Sequence, residues 1–118
     1  MDEATWRGEL ELKERYLMQT YGFEEGKDYR ADYVNITMDD EPFQVRYLVL
    51  GENASPKPTL VLMHCYMNSS VSAYVQWFQH LLPTYRIVCF DNCGWGLNTR
   101  RATCSGTESA DAAESWLL

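Results

Sequence analysis

The sequence predicts an α/β chain: an N-terminal helix, an antiparallel β-hairpin, a strand–helix–strand unit with parallel strands, and a final short helix. Three observations carry this reading. Apolar residues alternate with polar ones on either side of Asp39-Asp40, two unbroken apolar runs flank a stretch of helical period, and a glycine turn follows the second run.

In residues 4–21 the apolar side chains Trp6, Leu10, Leu17 and Tyr21 recur near helical spacing, with Glu9, Glu11, Lys13 and Glu14 largely on other faces. This predicts an amphipathic helix, closed by Gly22 and laid against the edge of the domain. The period then changes. Val34, Ile36 and Met38 alternate with Asn35 and Thr37, and Phe43, Val45, Tyr47 and Val49 alternate with Gln44 and Arg46, so two strands joined through Asp39-Asp40-Glu41-Pro42 form a hairpin. Residues 51–58, with Asn53, Ser55, Pro56 and Pro58, cannot continue a ladder and form a loop.

Leu60-Val61-Leu62-Met63 is apolar without alternation, the pattern of a strand covered on both faces in a parallel sheet. A helix should follow. Ser69 or Ser70 can cap it, and Val71, Tyr74, Val75, Phe78, Leu81 and Leu82 form one stripe of 3.6-residue period, ended by Pro83. Ile87-Val88-Cys89-Phe90 is the second apolar run and leads into Asp91 and Gly94-Trp95-Gly96. Strand, helix, strand is a βαβ unit, whose crossover is right-handed and whose strands share one parallel sheet. Ser105 with Glu108 then offers a capping box, and Ala110, Ala113 and Leu117 a short helical face.

Charge and length exclude several classes of function. Seventeen acidic against ten basic residues give a net charge of −7, which repels phosphates and disfavours binding to nucleic acid or to anionic membranes. No run approaches the roughly 20 apolar residues of a transmembrane helix. The start, Met1-Asp2-Glu3, has no signal-peptide pattern, so an intracellular, cytoplasmic chain is expected, and the triplets Asn35-Ile36-Thr37 and Asn68-Ser69-Ser70 are not read as glycosylation sites. The four cysteines, Cys65, Cys89, Cys93 and Cys104, have no zinc-pair spacing; buried or unremarkable thiols are expected, with no metal and no cofactor.

Ligands of open α/β sheets bind beyond the carboxyl ends of the parallel strands, which directs attention to residues 64–70 and 91–101. The first loop, His64-Cys65-Tyr66-Met67-Asn68, lies between a buried strand and a helix N-terminus, where free backbone N–H groups can hold an oxyanion. The second, Asp91-Asn92-Cys93-Gly94-Trp95-Gly96, has two glycines that permit a sharp turn. A nucleotide site is the poorer reading, because a dinucleotide turn needs glycines after the first parallel strand and this one has none.

Together these loops give residues 60–100 a resemblance to the start of the α/β-hydrolase fold, whose third strand ends in His-Gly and whose fourth ends in Asp-x-x-Gly-x-Gly. Arg100 and the later Glu114-Ser115-Trp116 are similar to the lipid-acting abhydrolase branch: lysophospholipases, N-acylphosphatidylethanolamine lipases and cardiolipin deacylases. The resemblance implies residues 1–32 as a helix and linker, and 33–118 as a partial hydrolase domain holding strands one to four and the first two helices. It further implies an oxyanion loop built from His64, Cys65 and Tyr66, with the Tyr66 N–H as donor and His64 as its brace. Asp91, Gly94 and Gly96 shape the turn after the fourth strand, Asp91 by accepting backbone N–H groups there.

Two departures stand out. Cys65 replaces the family's glycine, and its side chain crowds the oxyanion position. None of Ser55, Ser69, Ser70, Ser72, Ser105, Ser109 or Ser115 has the flanking glycines of a Gly-x-Ser-x-Gly elbow, so the chain carries neither nucleophile nor triad. Cys65 is no substitute, since its strand neighbour His64 points to the opposite face. The expectation is an N-terminal fragment of a serine-hydrolase-like protein, acting in its intact form on carboxylic ester or amide bonds of a lipid or acyl substrate. The alternative is a non-catalytic, degenerate hydrolase that serves as an interaction module and pairs with a protein partner through an exposed sheet edge.

Overall fold

A computed structural model describes residues 2–52, 55–64 and 69–92 of the chain. In chain order it contains helix α1 (Glu3–Thr20), strands β1 (Tyr29–Met38), β2 (Glu41–Leu50) and β3 (Thr59–Met63), helix α2 (Ser70–Leu81) and strand β4 (Arg86–Phe90). No helix among the described residues is long and apolar enough to cross a membrane.

The four strands form one mixed sheet in the order β1-β2-β4-β3. The hairpin is closed by Asp39 and Asp40, both left-handed at φ 50° and 62°, a two-residue turn in which Asp is better tolerated than bulkier residues. Glu41 and Pro42 therefore belong to β2, paired with Met38 and Thr37, rather than to the turn. Strand β4 pairs antiparallel with β2 only from Tyr47 to Leu50 and parallel with β3 along its whole length. The far half of the hairpin thus overhangs the carboxyl ends of β3 and β4.

Helix α2 forms as its stripe predicts. Val71, Val75 and Phe78 are buried, while Tyr74, Leu81 and Leu82 pack partly buried against the same core. They meet Leu48, Leu50, Ile87 and Cys89 from the sheet and Met18 from α1, with Phe23 set edge-on to Phe78. Gly51 then turns the chain at φ 83°, and a Cβ there would stand 3.3 Å from Leu82 and 3.4 Å from the Arg86 backbone, so only glycine fits.

Two expectations change. Both helices lie on one face of the sheet, so β3 is covered on one side only: Leu60 and Leu62 are half-buried whereas Val61 and Met63 are exposed. The helices also sit over Gln44, Arg46, Leu48 and Leu50, not over the alternating set Phe43, Val45, Tyr47 and Val49, which shares the opposite face with Val34 and Ile36 and of which Phe43 and Val49 are nonetheless buried. Helix α1 correspondingly presents Arg7, Glu11, Glu14 and Met18 to the sheet, a mostly charged stripe, while Tyr21 of the expected apolar stripe is 39% exposed.

Candidate functional site

The carboxyl ends of β3 and β4 meet the N-terminus of α2 at one end of the sheet. Three residues there are polar yet buried: His64, Ser70 and Asp91. Burial of polar groups is costly unless they are hydrogen-bonded, and the bonds they make define the site.

His64 directly follows β3, and its ring Nε2 accepts the backbone N–H of Asn92 at 2.7 Å while its carbonyl accepts the Asn92 side-chain amide at 3.0 Å. An accepting Nε2 carries no proton, which fixes the neutral ring with its hydrogen on Nδ1. One residue earlier, the Asp91 carboxylate accepts the Ser70 backbone N–H at 2.8 Å, in the first turn of α2. A helix leaves its first N–H groups without internal partners and carries partial positive charge there, so a buried carboxylate is well matched to that position. The Asp91 N–H itself continues the ladder to the Arg46 carbonyl at 3.0 Å.

The α2 start is secured a second time. Ser69 is the N-cap, its hydroxyl accepting from the Ser72 N–H at 3.3 Å while the Ser72 hydroxyl accepts from the Ser69 N–H at 3.2 Å. His64 and Ser70 are therefore tied to two consecutive residues of one strand end, Asn92 and Asp91. Cys65 and Tyr66 of the expected oxyanion loop, and Gly94 and Gly96 of the expected turn, lie outside the described residues. Asp91 accepts from the helix, a partner that the sequence reading did not name.

Behind this edge, Arg46 of β2 and Glu14 of α1 form a buried ion pair at 2.6 Å. Desolvation raises the Glu14 pKa, with the Arg46 hydrogen bond opposing it; for Arg46, burial works against the charge but the hydrogen bond to Glu14 and the neighbouring Glu14, Tyr33 and Glu11 charges together outweigh it. The Tyr33 hydroxyl donates to Glu11 at 2.5 Å, its ring lies under the guanidinium groups of Arg7 and Arg46, and Arg7 donates to Gln44 at 2.9 Å. A cavity of about 150 Å³ opens between Glu14 and Leu17 of α1, the N-cap Ser69 and Ser72 of α2, and Asp91. A wider pocket of about 640 Å³ lies at the opposite end of the sheet, around Glu25, Lys57 and the Arg30–Glu52 pair, away from the carboxyl ends of the parallel strands.

No nucleophile is activated among the described residues. Cys89 is fully buried and burial pushes its thiol up to about 12, which makes it a small hydrophobe rather than a thiolate. His80, in the last turn of α2, is exposed. No group of metal-ligating side chains occurs among the described residues. Sequence reasoning missed Asn92, which clasps His64, and the Glu14–Arg46 pair. For Asn92 the signal was a side-chain amide one step beyond a buried strand; for Arg46 it was the three consecutive apolar residues Leu48-Val49-Leu50, which show that both faces of β2 are used there.

The sheet order, the single parallel crossover and the chemistry gathered at the strands' carboxyl ends define the N-terminal part of an α/β-hydrolase sheet. Solved structures of hydrolytic enzymes share this fold over part of their length. The chain is similar to a probable hydrolytic enzyme of Pseudomonas aeruginosa PAO1, with a TM-score of 0.54 and 23% identity over 69% of this chain and 25% of that one. It is similar to a protein of Acinetobacter baumannii AYE assigned as a lipase, with a TM-score of 0.53 and 17% identity over 90% and 31%. A bacterial membrane phospholipase A gives a TM-score of 0.51 and 20% identity over 95% and 31%. The chain thus spans between a quarter and a third of the length of these neighbours. The sequence matches no family model and no curated protein.

Proposed function

We propose that the chain supplies the N-terminal portion of a serine-hydrolase-like domain acting on carboxylic esters or amides of lipids, in the lysophospholipase, N-acylphosphatidylethanolamine lipase and cardiolipin deacylase branch. Residues 1–32 are its leading helix and linker, and 33–118 its partial hydrolase domain. The observation that carries this reading is that the end of the first parallel strand and the start of α2 are tied, through His64 and Ser70, to the consecutive residues Asn92 and Asp91. A helix N-terminus fixed beside the carboxyl end of a parallel strand offers N–H groups set in advance, which is what stabilising a developing oxyanion requires.

In the intact domain a serine contributed from outside these residues attacks the acyl carbonyl, a histidine from outside carries the proton, and the Tyr66 N–H is one of two oxyanion donors. His64 acts as a positioning residue, its Nε2 already committed to Asn92. The test is incubation of the 118-residue chain with a fluorophosphonate probe, followed by mass spectrometry. No serine is expected to carry the adduct; a labelled serine within the chain would overturn the reading.

The β3 edge, which has no strand beside it among the described residues, favours a second reading, a non-catalytic subunit. It predicts that the chain purifies from cells as a stable one-to-one complex with another protein, with no longer form carrying a Gly-x-Ser-x-Gly segment.

A further inference from the structure

Helix α1 has three arcs. Arg7, Glu11, Glu14 and Met18 meet the sheet and its core, and Leu10 and Leu17 turn toward the start of α2. The third arc, centred on Leu12, faces solvent. Leu12 and Tyr16, one turn apart on it, are 61% and 73% exposed, the two most exposed large apolar side chains among the described residues. With half-buried Leu17 they border a shallow, largely apolar hollow beside Lys13 and Arg15. Two such residues stacked on one helix face, unlike a single exposed leucine, form a patch that a partner can use.

We propose that this arc is an interface with a second copy of the chain, α1 packing antiparallel on α1 about a two-fold axis at Leu12. Three features select that occupant. The first is charge. At 100° per residue Glu9 and Lys13 lie on the same flank of Leu12, both exposed, and neither has a salt-bridge partner among the described residues. Antiparallel packing sets Glu9 of one helix about 3 Å along the axis from the partner's Lys13, and the two-fold symmetry makes that contact twice. Parallel packing in register would bring Glu9 to Glu9 and Lys13 to Lys13.

The second feature is shape. Gly8 and Tyr16 stand equally far from Leu12 on either side, so the antiparallel pair brings each Tyr16 level with the partner's Gly8. Glycine is the poorest helix former after proline, and a Cβ at Gly8 would meet no neighbour within 4 Å. Nothing in the chain's own packing requires it there. In the pair, the missing side chain leaves room for the tyrosine ring. The third feature is what the arc turns away: Glu9 on its flank and a net charge of −7 oppose an anionic lipid surface. Two 18-residue helices about 27 Å long bury less area than an obligate dimer does, so the association is reversible and weak.

Sedimentation velocity of the full chain across the micromolar range tests this, with a concentration-dependent monomer–dimer equilibrium as the expected result. Leu12→Glu should leave only monomer, with an unchanged circular dichroism spectrum because the exposed side chain supports no core. Glu9→Lys and Lys13→Glu each set like charges at both contacts, and each alone should weaken the dimer about tenfold. An equimolar mixture of the two variants should recover the wild-type dimer, since both contacts then pair opposite charges. A chain that stays monomeric throughout would overturn the proposal. So would a dimer untouched by Leu12→Glu, or a mixture that fails to recover. Leu12-dependent binding to phosphatidylcholine vesicles in place of dimers would make a lipid surface the occupant and overturn it as well.

Discussion

The two faces of the sheet are built on opposite rules. The face that carries both helices mixes a compact apolar region under α2 with a charged region under α1, where Arg7, Glu11, Glu14 and Arg46 replace the leucines expected of a helix–sheet contact. Along the hairpin the opposite face carries Val34, Ile36, Phe43, Val45, Tyr47 and Val49, with Arg30 and Asp32 at the end beside Leu50. Hydrophobic alternation therefore reports that a strand has two unlike faces and is silent about which one the neighbouring helix takes. On the covered face geometry is set by paired charges, and removing one member of a buried pair is costly because its partner is left charged and unmatched.

The largest effect belongs to the apolar half. Phe78→Ala, which empties the centre of the α2 contact, is expected to cost about 4 kcal/mol in urea unfolding, since buried phenylalanine truncations lose both transfer energy and cavity contacts. Arg46→Met should cost about 3 kcal/mol, and adding Glu14→Leu should recover most of that loss, because replacing a buried pair by apolar groups is often neutral. If the double variant is as unstable as the single one, the two helix contacts do not differ in the way described.

Asp91→Ala removes the acceptor for the Ser70 N–H and leaves that donor buried, at a cost of about 2 kcal/mol. Glu14 also gives the charged half a pH signature that the apolar half lacks. Its pKa is raised by burial, so the folded state holds the proton more tightly than the unfolded chain does. Its contribution is fully present below the ordinary glutamate value and is lost as pH rises through the raised one. The difference in unfolding free energy between wild type and Glu14→Gln should shift against the wild type across that window, and a difference flat in pH would contradict the burial argument. Smallest, Ser69→Ala should cost about 1 kcal/mol, read as a lower midpoint with an unchanged urea slope.

Much of the fold was legible because its signals are local. The stripe Val71, Val75, Phe78 has only one helical solution, and Asp39-Asp40 between alternating runs has only one hairpin. The α1 interface was not legible, because a charged stripe reads as solvent-facing until its partners, thirty or more residues away on β2, are known. At the site, His64 and Asp91 stood out as polar residues at the ends of apolar runs. What each one bonds to depends on how two strand ends and a helix start come together, and that is decided by the crossover rather than by neighbours in sequence.

The most direct test of the braced strand ends is the protonation state of the His64 ring in the folded chain, read from long-range ¹H–¹⁵N correlation spectra at neutral pH. A neutral ring with its proton on Nδ1 and Nε2 bare, and an Asn92 amide proton protected from exchange, is the expected result. A proton on Nε2, with Asn92 exchanging freely, would contradict the clamp and return His64 to the pool of residues open for catalysis.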